Sequence, residues 1–405
     1  MPRIRLVVGV AATALLLNGG ATARSQQTTG PVATYWMTAQ TSSGMPAMGP
    51  GGANPMAMMS AMAGGSGPQH SLFLQLQSSL APSGTLRAAH EPPAALRAGA
   101  SLPLAVATRS ENSDGDDTWE RPDGDAPRML IYFGCGEAAG RNQPVVINLR
   151  DNQSARQLAN LMAGQRVERQ RGPSAGAGRT YAEWPNARAR SNVSAESSLV
   201  GDHVVKGNYT PDIRFSLNAR QDFLAPLQLT GVSNESGPHR LGWNNIAGAR
   251  AYLAYAFGQN EAGDMVVWSS SGIASLPMAL PEIISPSEQD RLLGLRVLLP
   301  ASTTECAIPS AFSQASPEAM LRVVAYGGEV NVAYPERPTD RTEPWNIEYV
   351  VKVRYGSSAG TVLGMDMSDE EGAESGRPSI NPLDALPIPG AGAIGSLLGG
   401  FRRRN

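Results

Sequence analysis

Cysteine, histidine and lysine are almost missing from this 405-residue chain, which has two cysteines, four histidines and, among 33 basic residues, only Lys206 and Lys352 as lysines. So few thiols and imidazoles leave little material for a metal enzyme. The histidines, His70, His90, His203 and His239, are scattered, with no spacing that pairs a nucleophile with a base. Charge is scarce too, at 17% of residues, and nets to −2, which removes the basic footprint of a nucleic-acid-binding protein. Hydrophobic residues make up 41%, enough for a packed core, so a wholly disordered chain is excluded, as is a polytopic membrane protein.

The amino terminus has three parts: Arg3 and Arg5, an apolar run over residues 6–17, and a small-residue stretch ending Ala21-Thr22-Ala23. That is the pattern of a secretory signal peptide, with cleavage expected after Ala23 and a mature chain starting at Arg24. The run is too short to span about 30 Å of hydrocarbon as an anchor. No cysteine follows the cleavage site, which excludes a lipoprotein. Arginine in place of lysine, with abundant alanine and glycine, fits a GC-rich bacterial genome. The destination is then the periplasm, the outer surface or the medium.

The expected fold class is mainly β: a small N-terminal β domain and a β-sandwich, joined and followed by low-complexity segments. Residues 35–38, 71–77, 129–133 and 144–149 read as short strands, and Leu72, Leu74 and Leu76 alternate with Phe73, Gln75 and Gln77. They place the N-terminal domain in residues 24–150, interrupted by a Met/Gly-rich insert at 44–67 and an acidic one at 111–125. In residues 153–164 Ala155, Leu158, Leu161 and Met162 share a helical face, and 165–198 read as an Arg/Gly-rich linker, making 151–200 a short helix plus connector. Fourteen of the 23 aromatic residues lie between Tyr209 and Tyr355, which puts the best-packed domain in 201–356. Residues 357–405 read as a disordered tail with an apolar, Gly/Pro-rich end and terminal arginines.

Within that domain, RLGWNNIAGARAYLAYAF (240–257) carries Trp243, a Gly248-Ala249 turn and Tyr252. It resembles the B and C strands of a fibronectin type III domain. Residues 321–328 look like the F strand, and 347–355, with Ile347, Tyr349, Val351, Val353 and Tyr355 on one face, would close the sheet. The resemblance implies that Trp243 and Tyr252 are core residues and that the domain is a spacer or binding module. The longer stretch between Trp268 and Leu321 holds Ser287 and Asp290 at capping-box spacing, which predicts an inserted helix.

Several patterns carry candidate chemistry. Met45, Met48, Met56, Met58, Met59 and Met62 could supply thioethers to Cu(I), or form a loosely packed Gly-Met loop. Gly172-Pro173-Ser174-Ala175-Gly176 fits the G-x-S-x-G nucleophile pattern but lacks an apolar strand before it. Asp114, Asp116, Thr118 and Asp125 match part of a calcium loop, with Trp119 where glycine is needed. Nine arginines between Arg141 and Arg190 could meet an anionic membrane surface, as could the C-terminal tail. Cys135 and Cys306, an even count in an exported chain, suggest a bridge, the alternative being two separately buried thiols. The resulting expectation is an exported, non-catalytic envelope protein that binds or scaffolds. Its partner would be an envelope protein or a polysaccharide; no cofactor or nucleic acid is expected. A periplasmic copper protein and an exported hydrolase with an unrecognised site are the alternatives.

Overall fold

A computed structural model describes residues 26–45, 67–106, 128–148, 151–168, 170–176, 178–186, 193–231 and 237–364. In chain order the elements are β1 (Thr28–Thr29), β2 (Ala33–Gly44), β3 (Gln69–Ser78), β4 (Ala88–Glu91), β5 (Leu102–Leu104), β6 (Arg128–Phe133), β7 (Val145–Asn148), α1 (Asn152–Gly164) and β8 (Thr180–Trp184). They continue as β9 (Gly201–Gly207), β10 (Ile213–Leu217), β11 (Leu229–Thr230), β12 (His239–Trp243), β13 (Ala249–Gln259), β14 (Met265–Ser269), α2 (Pro286–Gly294), β15 (Leu299–Pro300), β16 (Glu305–Ile308), α3 (Ser310–Ala315), β17 (Met320–Tyr334), β18 (Trp345–Asn346) and β19 (Tyr349–Val362). The protein is mainly β, with several sheets and no closed barrel among the described residues.

One ten-stranded sheet runs β7-β6-β14-β13-β17-β19-β2-β3-β8, with β15 also paired to β13. Its inner face is apolar because the strands alternate: Tyr35, Met37 and Ala39 on β2, Leu72, Leu74 and Leu76 on β3, Tyr252 and Ala254 on β13, Val351 and Val353 on β19. Two small sheets cover that face. The order β11-β12-β16 lies over one half and β10-β9-β4-β5 over the other, and a single hydrophobic core runs through both. The connection between them crosses β19 and β2, where its carbonyls accept hydrogen bonds from the hydroxyls of Tyr355 (to Gln221, 3.0 Å), Thr41 (to Leu224, 2.7 Å) and Ser357 (to Ala225, 2.9 Å).

The expected boundary between an N-terminal domain and a sandwich does not separate the strands. β2 pairs in parallel with β19 over twelve positions, from Ala33↔Tyr349 to Gly44↔Gly360, and β6 pairs in parallel with β14. Parallel partners need no local turn, so nothing in the sequence near either strand announces the pairing. The Arg/Gly-rich connector is also more ordered than its composition suggests, since residues 180–184 form β8 on the edge of the large sheet, with Ala182 and Trp184 buried.

The outer face of the large sheet is covered in two places. α1 packs beside β6 and β7, where Leu158 joins Met129, Ile131 and Ile147; Asp151 caps it by accepting hydrogen bonds from the backbone N–H groups of Gln153 and Ser154. α2 brings Leu292 onto Ala251, Leu253 and Val324. Its cap is Ser285, which accepts from Glu288 N–H, with Pro286 in the first turn; the Ser287–Asp290 spacing lies two residues inside the helix. Elsewhere on the outer face β19, β2, β3 and β8 carry polar side chains, among them Lys352, Arg354, Thr38 and Gln75.

Candidate functional site

Register lines up the side chains of this outer region. Asn331, Lys352, Trp36, Gln75 and Glu183 are successive partners across β17, β19, β2, β3 and β8. Adjacent rows place Arg354 beside Thr38, and Thr34 beside Gln77 and Tyr181. A segment of the Arg/Gly-rich connector, residues 170–174, straps this face, and between strap and sheet lies an open groove of about 500 Å³. Thr34, Trp36, Gln75, Gln77, Arg179 and Arg354 line it together with the strap.

Trp36 is nearly buried at the floor. The Arg354 guanidinium lies 4.5 Å from its ring centroid and the Lys352 ammonium 5.8 Å, both within cation–π range. Gly172 comes so close that a Cβ there would stand 2.7 Å from the ring, so only glycine lets the strap settle. Gln77 Oε1 accepts the Ser174 backbone N–H at 3.0 Å, fixing the strap to β3, and Gln75 Nε2 donates to Tyr181 Oη at 3.0 Å. Lys352 is neutralised by Glu329 at 2.5 Å. Arg354 has no carboxylate bonded to it: Nη2 donates to Thr38 Oγ1 at 2.5 Å, Nε is buried without a partner, and burial lowers its pKa, with Glu329, its neighbour across the β17–β19 ladder, opposing.

A second polar cluster sits in the core. Tyr35 Oη lies 2.8 Å from His90 Nδ1, His90 Nε2 lies 3.1 Å from His203 Nδ1, and His203 Nε2 lies 2.7 Å from the Leu199 carbonyl. A carbonyl only accepts, so His203 Nε2 carries a proton and its Nδ1 accepts from His90; His90 Nδ1 in turn accepts from Tyr35. The chain of donors is satisfied only when both imidazoles are neutral. Burial depresses both histidine pKa values, with His203 adding to the effect on His90, while the Leu199 carbonyl and Asp202 oppose it on His203. The Tyr35–His90 bond joins β2 of the large sheet to β4 of a small one.

The sign of the pH dependence follows. Folded pKa values below the unfolded value of about 6.5 leave stability unaffected above that pH; below it the unfolded chain binds protons that the folded chain refuses. We expect each histidine to cost up to about 1.4 kcal/mol per pH unit in that window. Urea unfolding at pH 7.5, 6.5, 5.5 and 5.0 checks this; a flat profile would exclude the neutral relay. Asp264, held to about 2 chiefly by its hydrogen bond from Arg128, loses its contribution only at lower pH and does not blur that window.

The residues singled out from sequence fall in different places. Cys135 and Cys306 form a disulfide that joins the loop after β6 to β16, and thereby the large sheet to a small one. Trp243 and Tyr252 are buried with ring centroids 5.7 Å apart. Met45 follows β2, its N–H donating to the Gly360 carbonyl at 2.9 Å; Met48, Met56, Met58, Met59 and Met62 lie outside the described residues, as do Asp114, Asp116, Thr118, Asp125 and residues 365–405, whereas residues 357–362, expected to open the disordered tail, continue β19 with Ser357, Ser358 and Ala359 buried between β17 and β2. Ser174 is exposed on the strap, with neither a strand entering it nor a helix leaving it, so the elbow is not formed. Among the described residues no group of three or more His, Cys, Asp or Glu is placed to hold a metal ion.

Sequence reasoning passed over Trp36, Gln75, Gln77 and Arg354 and treated the histidines as scattered, yet His90 and His203 meet although 113 residues apart in sequence. One signal was available. Trp36 falls on the opposite parity from Tyr35 and Met37, which marks a strand covered on both faces. No family model, curated protein or solved structure matches the chain.

Proposed function

We propose that the chain is an exported, non-catalytic β protein of the bacterial envelope that works by binding or scaffolding around a fibronectin type III-like module. The observation that carries this reading is the Cys135–Cys306 disulfide, since such bonds persist in oxidising compartments. The signal-peptide pattern supports the same destination. The module reading is supported by the antiparallel strands β11-β12-β16 set against β14-β13-β17-β19, with Trp243 and Tyr252 packed between the layers. Binding is supported by the groove over β2 and β3, where amide, hydroxyl, aromatic and guanidinium groups converge. The mature protein is expected outside the cytoplasm, starting at Arg24, at a mass two hydrogen atoms below that of the reduced chain. Fractionation with intact-mass measurement tests this; a cytoplasmic protein retaining residues 1–23 would overturn it.

A further inference from the structure

We infer that the groove between the 170–174 strap and the β2–β3 face binds a carboxylate-bearing polysaccharide, with Arg354 as the anion seat. The inference rests on the binding reading and narrows it to one ligand class. Three of the lining residues are arginines, Arg171, Arg179 and Arg354, and none is acidic. Two carboxylates stand near: Glu329, which bonds Lys352 with one oxygen and faces Arg354 across the β17–β19 ladder, and Glu183, which accepts from Tyr181 at the far side of Gln75; against Arg171, Arg179, Lys352 and Arg354 they leave an excess of positive charge. Arg354 is the informative member. A guanidinium has five N–H donors in a planar fork, yet here one goes to a neutral hydroxyl and another, Nε, has no partner. The Trp36 ring and the charge of Glu329 across the ladder offset part of its desolvation, and a carboxylate bonded to the open side of the fork would offset more. Its fork matches a carboxylate.

The rest of the lining selects a sugar over a peptide. Backbone groups on the face of a sheet are used in its own ladder, so an extended peptide has no edge to pair with here. Gln75 and Gln77 each have one half of the amide engaged, leaving the Gln75 carbonyl oxygen and the Gln77 amino group for hydroxyls. Gln170, Thr34 and Ser174 add further neutral donors and acceptors around the same opening. Arg171 and Arg179 are exposed at the rim and would draw in a polyanion and make capture sensitive to salt.

The test uses the disulfide-intact mature protein in native affinity gels containing alginate, dextran or poly-glutamate of matched length. We expect retardation by alginate, little by dextran, and weaker retardation by poly-glutamate. Arg354→Gln should weaken alginate binding roughly tenfold, the loss of one charge-assisted pair. Arg171→Gln with Arg179→Gln, both at exposed positions, should weaken it several-fold and reduce its salt dependence even if Arg354→Gln fails to fold. Equal retardation by dextran and alginate would overturn the anionic class while leaving a binding module. Poly-glutamate binding as tight as alginate would overturn the sugar. Unchanged alginate binding in the Arg171/Arg179 variant, or no retardation by any polymer from protein recovered outside the cytoplasm, would overturn the groove assignment without touching export.

Discussion

Replacing Cys135 and Cys306 together by serine should lower stability by as much as about 5 kcal/mol, because the bridge closes a loop of 171 residues in the unfolded chain. The native contacts around it survive the change. Gly136 N–H still donates to the Ala307 carbonyl and Ser310 N–H to the Glu137 carbonyl, each at 3.0 Å, so the loop stays beside β16. The effect therefore lives mainly in the unfolded state, which gains conformations that the bridge had removed. Urea unfolding of wild type, wild type with reductant and the double serine variant provides the check, the last two agreeing and both falling well below the first. A loss smaller than about 1 kcal/mol would mean that the bridge constrains little in the unfolded ensemble.

Trp243→Ala should cost about 3–5 kcal/mol, since the indole fills the layer between β12 and β13 and the small sheet has too few strands to collapse around the void. The indole offers a sharper comparison. Its Nε1 is buried without a partner, so Trp243→Phe removes an unsatisfied donor along with some volume and should cost less than about 1.5 kcal/mol. Chemical denaturation of both variants separates ring packing from ring polarity. Equal losses in the two would contradict the assignment of Trp243 to the core against Tyr252.

What could be read from the chain was local. The alternation of Leu72, Leu74 and Leu76, the Trp243 and Tyr252 strands and the helix near residue 158 all appear in the folded protein because each is set by periodicity within a few residues. Pairing was illegible, above all between β2 and β19, where Thr38 and Arg354 touch across 316 residues of sequence. β8 was illegible because only Ala182 and Trp184 mark its buried side amid arginine and glycine. The groove hid for the same reason. Gln75 and Gln77 look like an ordinary solvated face until Gly172 is brought over Trp36, and that approach depends on a turn of chain nearly a hundred residues away (97 between Ser174 and Gln77).

The parallel ladder between β2 and β19 also sets an order of events. β2 is made early, yet one of its two neighbours is among the last described segments to be synthesised, so the middle of the large sheet cannot close while the chain is still emerging. Until then β3 is the only one of its two sheet neighbours that β2 can pair with, and a β2–β3 pair would present an open edge of unpaired N–H and C=O groups, a template for wrong partners. Such a chain is better held unfolded until it is complete than allowed to fold from its beginning. Deleting residues 349–362 would leave β2 and β17 unpaired on facing sides and produce an aggregating fragment rather than a smaller stable protein.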